Sequence, residues 1–349
     1  MCALDISART VTPDPSIAEW YGSRAAGIDS GRGDVREGLV ELGRRGLPEA
    51  GIEESIELVR SVAREDLSTA FSAWAHRMAI DYLAQGGPAA RERLASLATA
   101  DTLGVTALAA GTAHVLGGAP LPVTFRRSGG EVVLDGRIPW ASNLIEPFLV
   151  VTAAADADDP ARTIVVAVPS GTPGLHPAPY PDLLALNATG STTVALDGVP
   201  VPAELVLSDD VTDFVEAVLA RFLLLQGAFC SGLADRALAE AEANLGPLGE
   251  AIAPDLERTR AEVAEADRIS GELAAQAAAR RPVPHESLLR LRLRWSGLAA
   301  GAVHLELAAT GGRGYLSGSP TARRCREAAF LPIQAPTEVL LKWLLSRSA

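Results

Sequence analysis

The segment that decides the fold covers residues 132–143 and reads VVLDGRIPWASN. Its apolar start is typical of a β-strand, and an Asp-Gly pair follows. Trp140 and Ser142 come after that pair. A flat indole can bury a flat ligand, and a hydroxyl can donate or accept a hydrogen bond. Taken alone, these residues are more simply explained by a tryptophan that anchors the strand end and a serine in a turn. The alternative is a strand end that binds a ligand.

Around this segment the sequence is rich in short β-type runs. They cover residues 131–134, 148–151, 163–168 and 192–196, and Gly, Pro, Asp and Asn separate them. No helical period intervenes between the runs. We therefore expect an antiparallel β domain rather than a βαβ domain.

Helical patterns flank the β-rich zone on both sides. Before it, apolar residues recur three and four positions apart from residue 15 to about residue 100, with Asp66 as a predicted N-cap. After it, long Ala/Leu/Arg/Glu patterns predict a four-helix-type bundle, with helices at 214–245, 253–278, 286–310 and about 337–345.

The predicted fold class is mixed α and β and multidomain. An N-terminal helical domain precedes a middle antiparallel β domain and a C-terminal four-helix-type bundle, at residues 1–101, 102–208 and 209–349.

Composition limits the classes of function. The chain has 349 residues, 48% of them hydrophobic, and a formal net charge of −12. The apolar share argues against intrinsic disorder, and the acidic balance argues against broad nucleic-acid binding. No apolar run reaches the ~18 residues that span a bilayer, and the N-terminus lacks the apolar core of a signal peptide. We therefore expect a soluble, cytoplasmic protein with neither nucleic acid nor membrane as a partner.

The cysteines and histidines do not predict a metal site. Cys2, Cys230 and Cys325 are far apart and form no CxxC motif, so a disulfide framework is not expected either. No two of the five histidines are four residues apart, the spacing at which a helix chelates a metal.

The order of the zones, together with three motifs, resembles the acyl-CoA dehydrogenase superfamily over nearly the whole chain. The first motif is the segment at 132–143. The second, at 187–202, reads NATGSTTVALDGVPVP and looks like the family's Arg-x-Ser-x-Thr segment with the strand that follows. The third is GGRGY at 311–315, followed by Pro320, Arg323 and an Arg326-Glu327 pair that we interpret as a structural ion pair.

The resemblance implies a flavin cofactor, FAD or alternatively FMN. It assigns cofactor contacts to Thr106, Trp140, Ser142, Gly311, Gly312 and Thr337. In the family the tryptophan packs against the flavin, the hydroxyl at the Ser142 position reaches flavin N5, and the glycine loop lies near the FAD of an adjacent subunit. The family arginine that holds the FAD phosphates is missing from residues 243–248. Possible substitutes elsewhere in the chain are Arg258, Arg260 and Arg313.

The same resemblance exposes a missing catalytic base. Family members use a carboxylate to remove the α-proton of the substrate. The usual position of that base falls on Ala335, and the alternative position falls on Ala220. The remaining candidate catalytic residues are Arg221, Glu338 and His76. Glu338 is more simply explained by a helix N-terminus, and His76 by a core position.

Three functions follow from these expectations. The first is a flavin-dependent oxidoreductase that acts on an acyl thioester or related small molecule with a non-standard or absent base. The second is a flavin monooxygenase or oxidase on the same fold, although the lack of a histidine after His304 counts against that branch. The third is a non-catalytic subunit that pairs with a catalytic homologue. The resemblance implies a homodimer or homotetramer, and the third function implies a hetero-oligomer.

Overall fold

The computed structural model describes residues 15–347 of the chain. The N-terminal part is helical, as predicted, and contains α1 (Pro15–Asp29), α2 (Val35–Arg44), α3 (Ile52–Ala63), α4 (Leu67–Gln85), α5 (Pro88–Arg91) and α6 (Leu94–Ala98). Asp66 caps α4, because its carboxylate accepts hydrogen bonds from the backbone N–H groups of Ser68 and Thr69. The helix ends at Gly86.

Helix α4 is buried on almost every side. Sixteen of its side chains are buried, and the helix packs against α2 and α3, against strands of the β zone and against the bundle. Its sequence, LSTAFSAWAHRMAIDYLAQ, is small or apolar on most sides, and its polar stripe is limited to Arg77, Asp81 and Gln85 near the C-terminal end. This helix links the N-terminal zone to the rest of the molecule.

The described β zone contains eight strands and one helix. In chain order these are β1 (Leu103–Ala107), α7 (Ala109–Gly117), β2 (Val123–Ser128), β3 (Glu131–Ala141), β4 (Phe148–Asp156), β5 (Thr163–Pro169), β6 (Leu175–Pro177), β7 (Thr192–Pro202) and β8 (Val206–Ser208). They form one sheet in the order β6-β7-β3-β2-β4-β5-β8, and β1 pairs with β4.

The sheet is mainly antiparallel, as expected, but two of its pairings are parallel. Both β1 and β2 run parallel to β4. No α-helix intervenes between residues 131 and 196, where the four predicted runs lie, but an unpredicted helix, α7, lies ahead of them between β1 and β2. Its sequence, AAGTAHVLG, is too short and too uniformly apolar to show a helical period.

The C-terminal zone is a helical bundle, which confirms that prediction. It contains α8 (Val211–Ala243), α9 (Ala253–Ala278), α10 (His285–Thr310), α11 (Pro320–Phe330) and α12 (Glu338–Arg347). By length and composition α8 could cross a membrane, but 83% of its most apolar window is buried inside the protein, as in the central helix of a bundle.

Helix α11 was not predicted, and it changes the interpretation of the Arg326-Glu327 pair. Consecutive residues point to different sides of a helix, so these two do not pair with each other. Glu327 instead accepts from Arg323 at 3.0 Å, one turn earlier, and Arg326 forms an ion pair with Asp29 of α1. The structural role is kept, but the partners differ.

Candidate functional site

A cavity of about 490 Å³ lies where the three zones meet. Helix α4 supplies one part of its wall, and β1, α7, β3 and β4 supply a second part. The third part comes from Phe222 of α8, Phe330 of α11 and the segment 333–337. A cavity of this size lies within the usual range for small-molecule and cofactor sites.

The lining of the cavity is mostly apolar, and all of its polar side chains are neutral. Beyond two indoles, the polar groups belong to Thr106, Ser142, Thr152, Gln334 and Thr337. Within the described part of the chain, no lining residue is an aspartate, glutamate, histidine, cysteine, lysine, arginine or tyrosine. The cavity walls therefore offer hydrogen bonds but no group that exchanges a proton near neutral pH.

One part of the wall is a packed aromatic cluster on α4. The rings of Phe71 and Trp74 stack with their centroids 5.4 Å apart, and Phe222 and Phe330 meet them edge-on. The indole N–H of Trp74 donates to the backbone carbonyl of Phe222 at 3.1 Å. Because each ring is held by others, this wall is rigid and apolar.

Trp140 lies at the cavity in a different way. It comes near the end of β3, lines the cavity and is 55% exposed. A large indole at the mouth of a cavity leaves apolar surface uncovered, and an occupant of the cavity could cover it. The sequence prediction that Trp140 belongs to a ligand site is consistent with this position.

Ser142 belongs to a chain of hydroxyl groups. Its Oγ lies 2.6 Å from Ser191 Oγ, which lies 2.6 Å from Thr189 Oγ1. Thr189 donates to the backbone carbonyl of Leu186 at 2.7 Å. That carbonyl can only accept, so the hydroxyl of Thr189 donates to it. Ser191 must then donate to Thr189, and Ser142 must donate to Ser191. Ser142 therefore has only oxygen lone pairs left, and it offers a hydrogen-bond acceptor to the cavity.

Asn143, the last residue of the segment at 132–143, fixes this strand end. Its Nδ2 donates to the carbonyls of Ser72 on α4 and Gly104 on β1, at 2.9 and 3.1 Å. Its backbone has φ +67°, a left-handed conformation that asparagine tolerates better than most residues. Sequence analysis missed this role, although an asparagine directly after a predicted strand was a signal for it.

Thr106 and Thr337 approach the cavity from β1 and from the start of α12. The Thr106 hydroxyl lies 3.1 Å from the hydroxyl of the buried Tyr82. Thr337 Oγ1 accepts from the backbone N–H of Leu340 at 3.2 Å, as an N-cap does, so its own hydroxyl proton is free for another partner. The structure thus brings four of the six predicted cofactor residues to one cavity.

The segment that closes the cavity is held from behind by two polar residues of the bundle. Gln226 of α8 donates to the carbonyl of Ala335 at 2.9 Å. Arg292 of α10 donates to Gln226 Oε1 at 2.8 Å, to Gln334 Oε1 at 2.8 Å and to the carbonyl of Leu331 at 3.1 Å. Sequence analysis missed both residues. The only signal for Gln226 was a polar residue inside an apolar helix run, and Arg292 gave none, because it is one of three arginines that alternate with leucines.

The two family positions for a base lie in different places. Ala335 lines the cavity, whereas Ala220 does not. Arg221 is also absent from the lining and instead lies 3.4 Å from the carboxylate of Asp81. Glu338 is outside the lining as well and pairs with Lys342 at 2.6 Å. The structure therefore does not bring Arg221 or Glu338, two of the candidate catalytic residues, into the cavity lining.

His76 is a buried structural residue. Its Nδ1 accepts from the backbone N–H of Gly104 at 2.8 Å, and its Nε2 lies 2.8 Å from the carbonyl of Leu97. Nε2 must therefore carry the proton and donate it, so the ring is neutral. Burial lowers the pKa of His76 to about 4. The side chain does not line the cavity, which agrees with the core interpretation.

Gly311 and Gly312 lie away from the cavity, in an exposed turn after α10. In that turn, Arg313 donates to Asn244 Oδ1 at the end of α8, at 3.3 Å. Arg258 and Arg260 pair with Asp255 and Glu242. The role of the two glycines near an adjacent subunit's cofactor stays a prediction.

No group of three or more His, Cys, Asp or Glu side chains among residues 15–347 is arranged to hold a metal ion.

Comparison with solved structures identifies the architecture. No protein-family model and no curated protein matches the chain. A glutaryl-coenzyme A dehydrogenase in complex with glutaryl-CoA superposes with a TM-score of 0.86 at 18% identity, over 99% of this chain and 96% of that chain. Butyryl-CoA dehydrogenase from Megasphaera elsdenii gives a TM-score of 0.84 at 18% identity, over 95% of this chain and 96% of that chain. FkbI, for biosynthesis of the methoxymalonyl extender unit of Fk520, gives a TM-score of 0.77 at 22% identity, over 97% of this chain and 99% of that chain. The chain has the acyl-CoA dehydrogenase fold.

Proposed function

We propose that this protein is a flavin-dependent oxidoreductase whose cavity binds the flavin ring. The observation that carries the proposal is the convergence of Thr106, Trp140, Ser142 and Thr337 on one cavity. These residues were assigned to a flavin site from the sequence resemblance alone, and they come from three separate places in the chain: β1, the end of β3 and the start of α12. The fold shared with acyl-CoA dehydrogenases supports the same assignment.

The lining suits a flat and largely apolar ring. Its walls are apolar, the indole of Trp140 is uncovered, and a small number of hydroxyl groups are available for a ring with polar edges. Ser142 offers an acceptor and therefore suits an N–H group, while Thr337 can donate to an oxygen or nitrogen of the ring. We propose FAD as the flavin, with FMN as the alternative.

When bound, a flavin supplies the acceptor for a hydride or for electrons from the substrate. The residues of this chain would hold the ring and limit its contact with water, because they line a mostly apolar cavity. They would not take a proton from the substrate, since no described lining residue is titratable. Oxidation of an acyl thioester or related small molecule would thus proceed without a carboxylate base from this cavity.

Because the cavity lacks a carboxylate base, two other functions remain alternatives: a flavin monooxygenase or oxidase, and a non-catalytic subunit. A flavin monooxygenase or oxidase needs no carboxylate at the position of Ala335. A non-catalytic subunit that pairs with a catalytic homologue needs none either. Among the similar structures is a nitroalkane oxidase, with a TM-score of 0.80 at 16% identity, so the fold is also found in an oxidase, although the reaction of that protein involves an arginine and an aspartate.

The absorption spectrum of the purified protein tests the flavin directly. We expect the two visible bands of an oxidised flavin, and a protein that never retains or binds flavin would overturn the proposal. Bleaching of the bands by an acyl thioester without oxygen would support dehydrogenation. Reoxidation coupled to hydroxylation would favour the monooxygenase, and co-purification of a homologue would favour the paired subunit.

Ala335→Glu tests the missing base. The substitution places a carboxylate in the lining at the position where the family has one. If thioester oxidation appears only in this variant, the native protein does not use α-proton abstraction by this wall. Thr152→Glu, which adds a carboxylate elsewhere in the same lining, is the control for a general effect of charge.

We also propose that the protein forms a homodimer or homotetramer, with pairing to a homologue as the alternative. Leu248 and Tyr315 are both 82% exposed, and Leu316 is 66% exposed. The hydrogen bond between Arg313 and Asn244 brings the loop that carries Leu248 next to the loop that carries Tyr315 and Leu316. Leu248→Asp should reduce the mass measured by light scattering, whereas Leu184→Asp, at a 68% exposed position in the β zone, should not.

A further inference from the structure

Arg292 is a buried cation with only neutral partners. Its side chain belongs to a residue that is 1% exposed, and its three hydrogen bonds go to two amide oxygens and one backbone carbonyl. No carboxylate of the described chain forms an ion pair with it. An uncompensated charge is costly to bury, so its retention here calls for a negatively charged partner.

Two titratable groups, Cys230 and Glu338, act electrostatically on Arg292, but neither neutralises its charge. Burial raises the pKa of the Cys230 thiol to about 11, so that group is uncharged at neutral pH. The Glu338 carboxylate acts on the guanidinium, but it is already paired with Lys342 at the surface. Burial lowers the pKa of Arg292, yet a guanidinium stays protonated in proteins. Arg292 therefore keeps its positive charge without a paired carboxylate in the described chain.

Gln334 lies between Arg292 and the cavity. A guanidinium can only donate, so the amide oxygen of Gln334 must face Arg292 and its Nε2 must face away. That Nε2 is buried and has no hydrogen-bond partner, although Gln334 lines the cavity and is only 5% exposed. A buried donor without a partner is unfavourable, and the adjacent cavity is where an acceptor can come from.

We propose that the wall formed by Gln334 and the Arg292 behind it binds a carboxylate group of the substrate. Gln334 Nε2 would donate to a carboxylate oxygen, and Arg292 would supply the compensating charge through the Gln334 amide. Nε2 is covered in the present structure, so binding requires a small shift of the surrounding lining that exposes Nε2 while Oε1 stays on Arg292. The inference deepens the proposed function and rests on it for the identity of the occupant as a substrate. It selects acidic small molecules as the substrate class.

The test compares hexanoate with hexanamide, two probes of similar shape that differ in charge. Binding to the purified protein is followed by tryptophan fluorescence, because Trp74 and Trp140 line the cavity. A charge-assisted hydrogen bond is expected to make hexanoate bind about ten-fold more tightly than hexanamide. Equal affinity of the two probes would overturn the proposal.

Two variants assign the preference to this wall. Gln334→Met keeps the size of the side chain but removes the donor, and it should abolish the preference for hexanoate. Arg292→Lys keeps the charge and should keep part of the preference, which a purely structural role of Arg292 would not produce. Ile333→Ala is the control, because the loss of this exposed lining side chain should weaken the binding of both probes equally. A preference that survives in Gln334→Met would refute the assignment.

The outcome is separable from that of the flavin proposal. A protein that binds flavin but shows no preference for hexanoate would lose only the carboxylate site. A protein that never binds flavin but shows the preference, sensitive to Gln334→Met, would keep an anion site and lose the flavin.

Discussion

The lining of the cavity and the layer of residues directly behind it differ in charge. The lining contains only apolar and neutral polar side chains. Behind it, Arg292 orients Gln334, and His76 holds the backbone of β1 two residues before Thr106. Gln334 and the strand that carries Thr106 are thus held in place by residues that do not line the cavity themselves. The predictions below disturb one layer at a time.

The largest effect is expected from Arg292→Met, which removes the cation behind the lining. Three hydrogen bonds disappear, and their acceptors on Gln226, Leu331 and Gln334 are left buried. We expect a loss of about 4 kcal/mol in the free energy of unfolding, measured by denaturant titration. Arg290→Met, which removes an exposed pair with Glu286, should change it by less than about 1 kcal/mol. Equal effects of the two variants would contradict the importance of the rear layer.

His76→Gln tests the same layer through pH. The pKa of His76 is about 4 in the folded protein, below its ordinary value of 6.5, so the unfolded chain binds the proton more readily. The wild type should therefore lose stability as pH falls from 6.5 to 4 because of this residue, by roughly 3 kcal/mol. The variant should lack that contribution.

Another buried group acts in the opposite direction over part of the same range. Burial raises the pKa of Asp66 to about 6, so its protonation favours the folded state as pH falls. Asp66 is present in both proteins, and the difference between wild type and His76→Gln isolates the histidine. His285→Gln, at an exposed position, serves as the control. Parallel stability curves for wild type and His76→Gln would show that His76 is not held neutral.

Trp140→Ala disturbs the lining instead of the layer behind it. The indole is half exposed, so the free energy of unfolding should change by less than about 1 kcal/mol. Flavin affinity should fall about ten-fold, because the ring loses an aromatic contact. Titration of flavin fluorescence measures this change. Trp343→Ala, at a 44% exposed tryptophan outside the lining, should leave the affinity unaltered.

Ser191→Ala gives the smallest expected effect. It interrupts the hydroxyl chain and releases the Ser142 proton, so that Ser142 can donate to the cavity. The cost in stability is about 1 kcal/mol, the same as for Ser96→Ala, which loses one hydrogen bond far from the cavity. Only Ser191→Ala should shift the absorption bands of the bound flavin. An unchanged spectrum would mean that Ser142 does not contact the ring.

The sequence was sufficient where a motif is continuous. The segment at 132–143 places Trp140 and Ser142 at the end of one strand, and both line the cavity. The resemblance to the acyl-CoA dehydrogenase family placed the base position on Ala335, which also lines it. Such positions follow from a motif that is unbroken in the sequence.

The residues behind the lining could not be predicted in this way. Gln226 and Arg292 are 66 positions apart and come from different helices, so only the packing of α8 against α10 pairs them. The hydroxyl chain likewise joins Ser142 to Ser191, 49 positions later. The short helix α7 was missed for another reason: its uniformly apolar sequence carries no helical period.

The burial of α4 has a consequence for how the molecule opens. Its neighbours include α2 and α3 in the N-terminal zone, β1 in the sheet and α8 in the bundle. A segment whose surroundings come from every zone cannot lose its amide protection while those zones stay intact. The three zones that the sequence separates so clearly are therefore expected to share one cooperative unit, with the amide protons of α4 among the slowest to exchange with solvent.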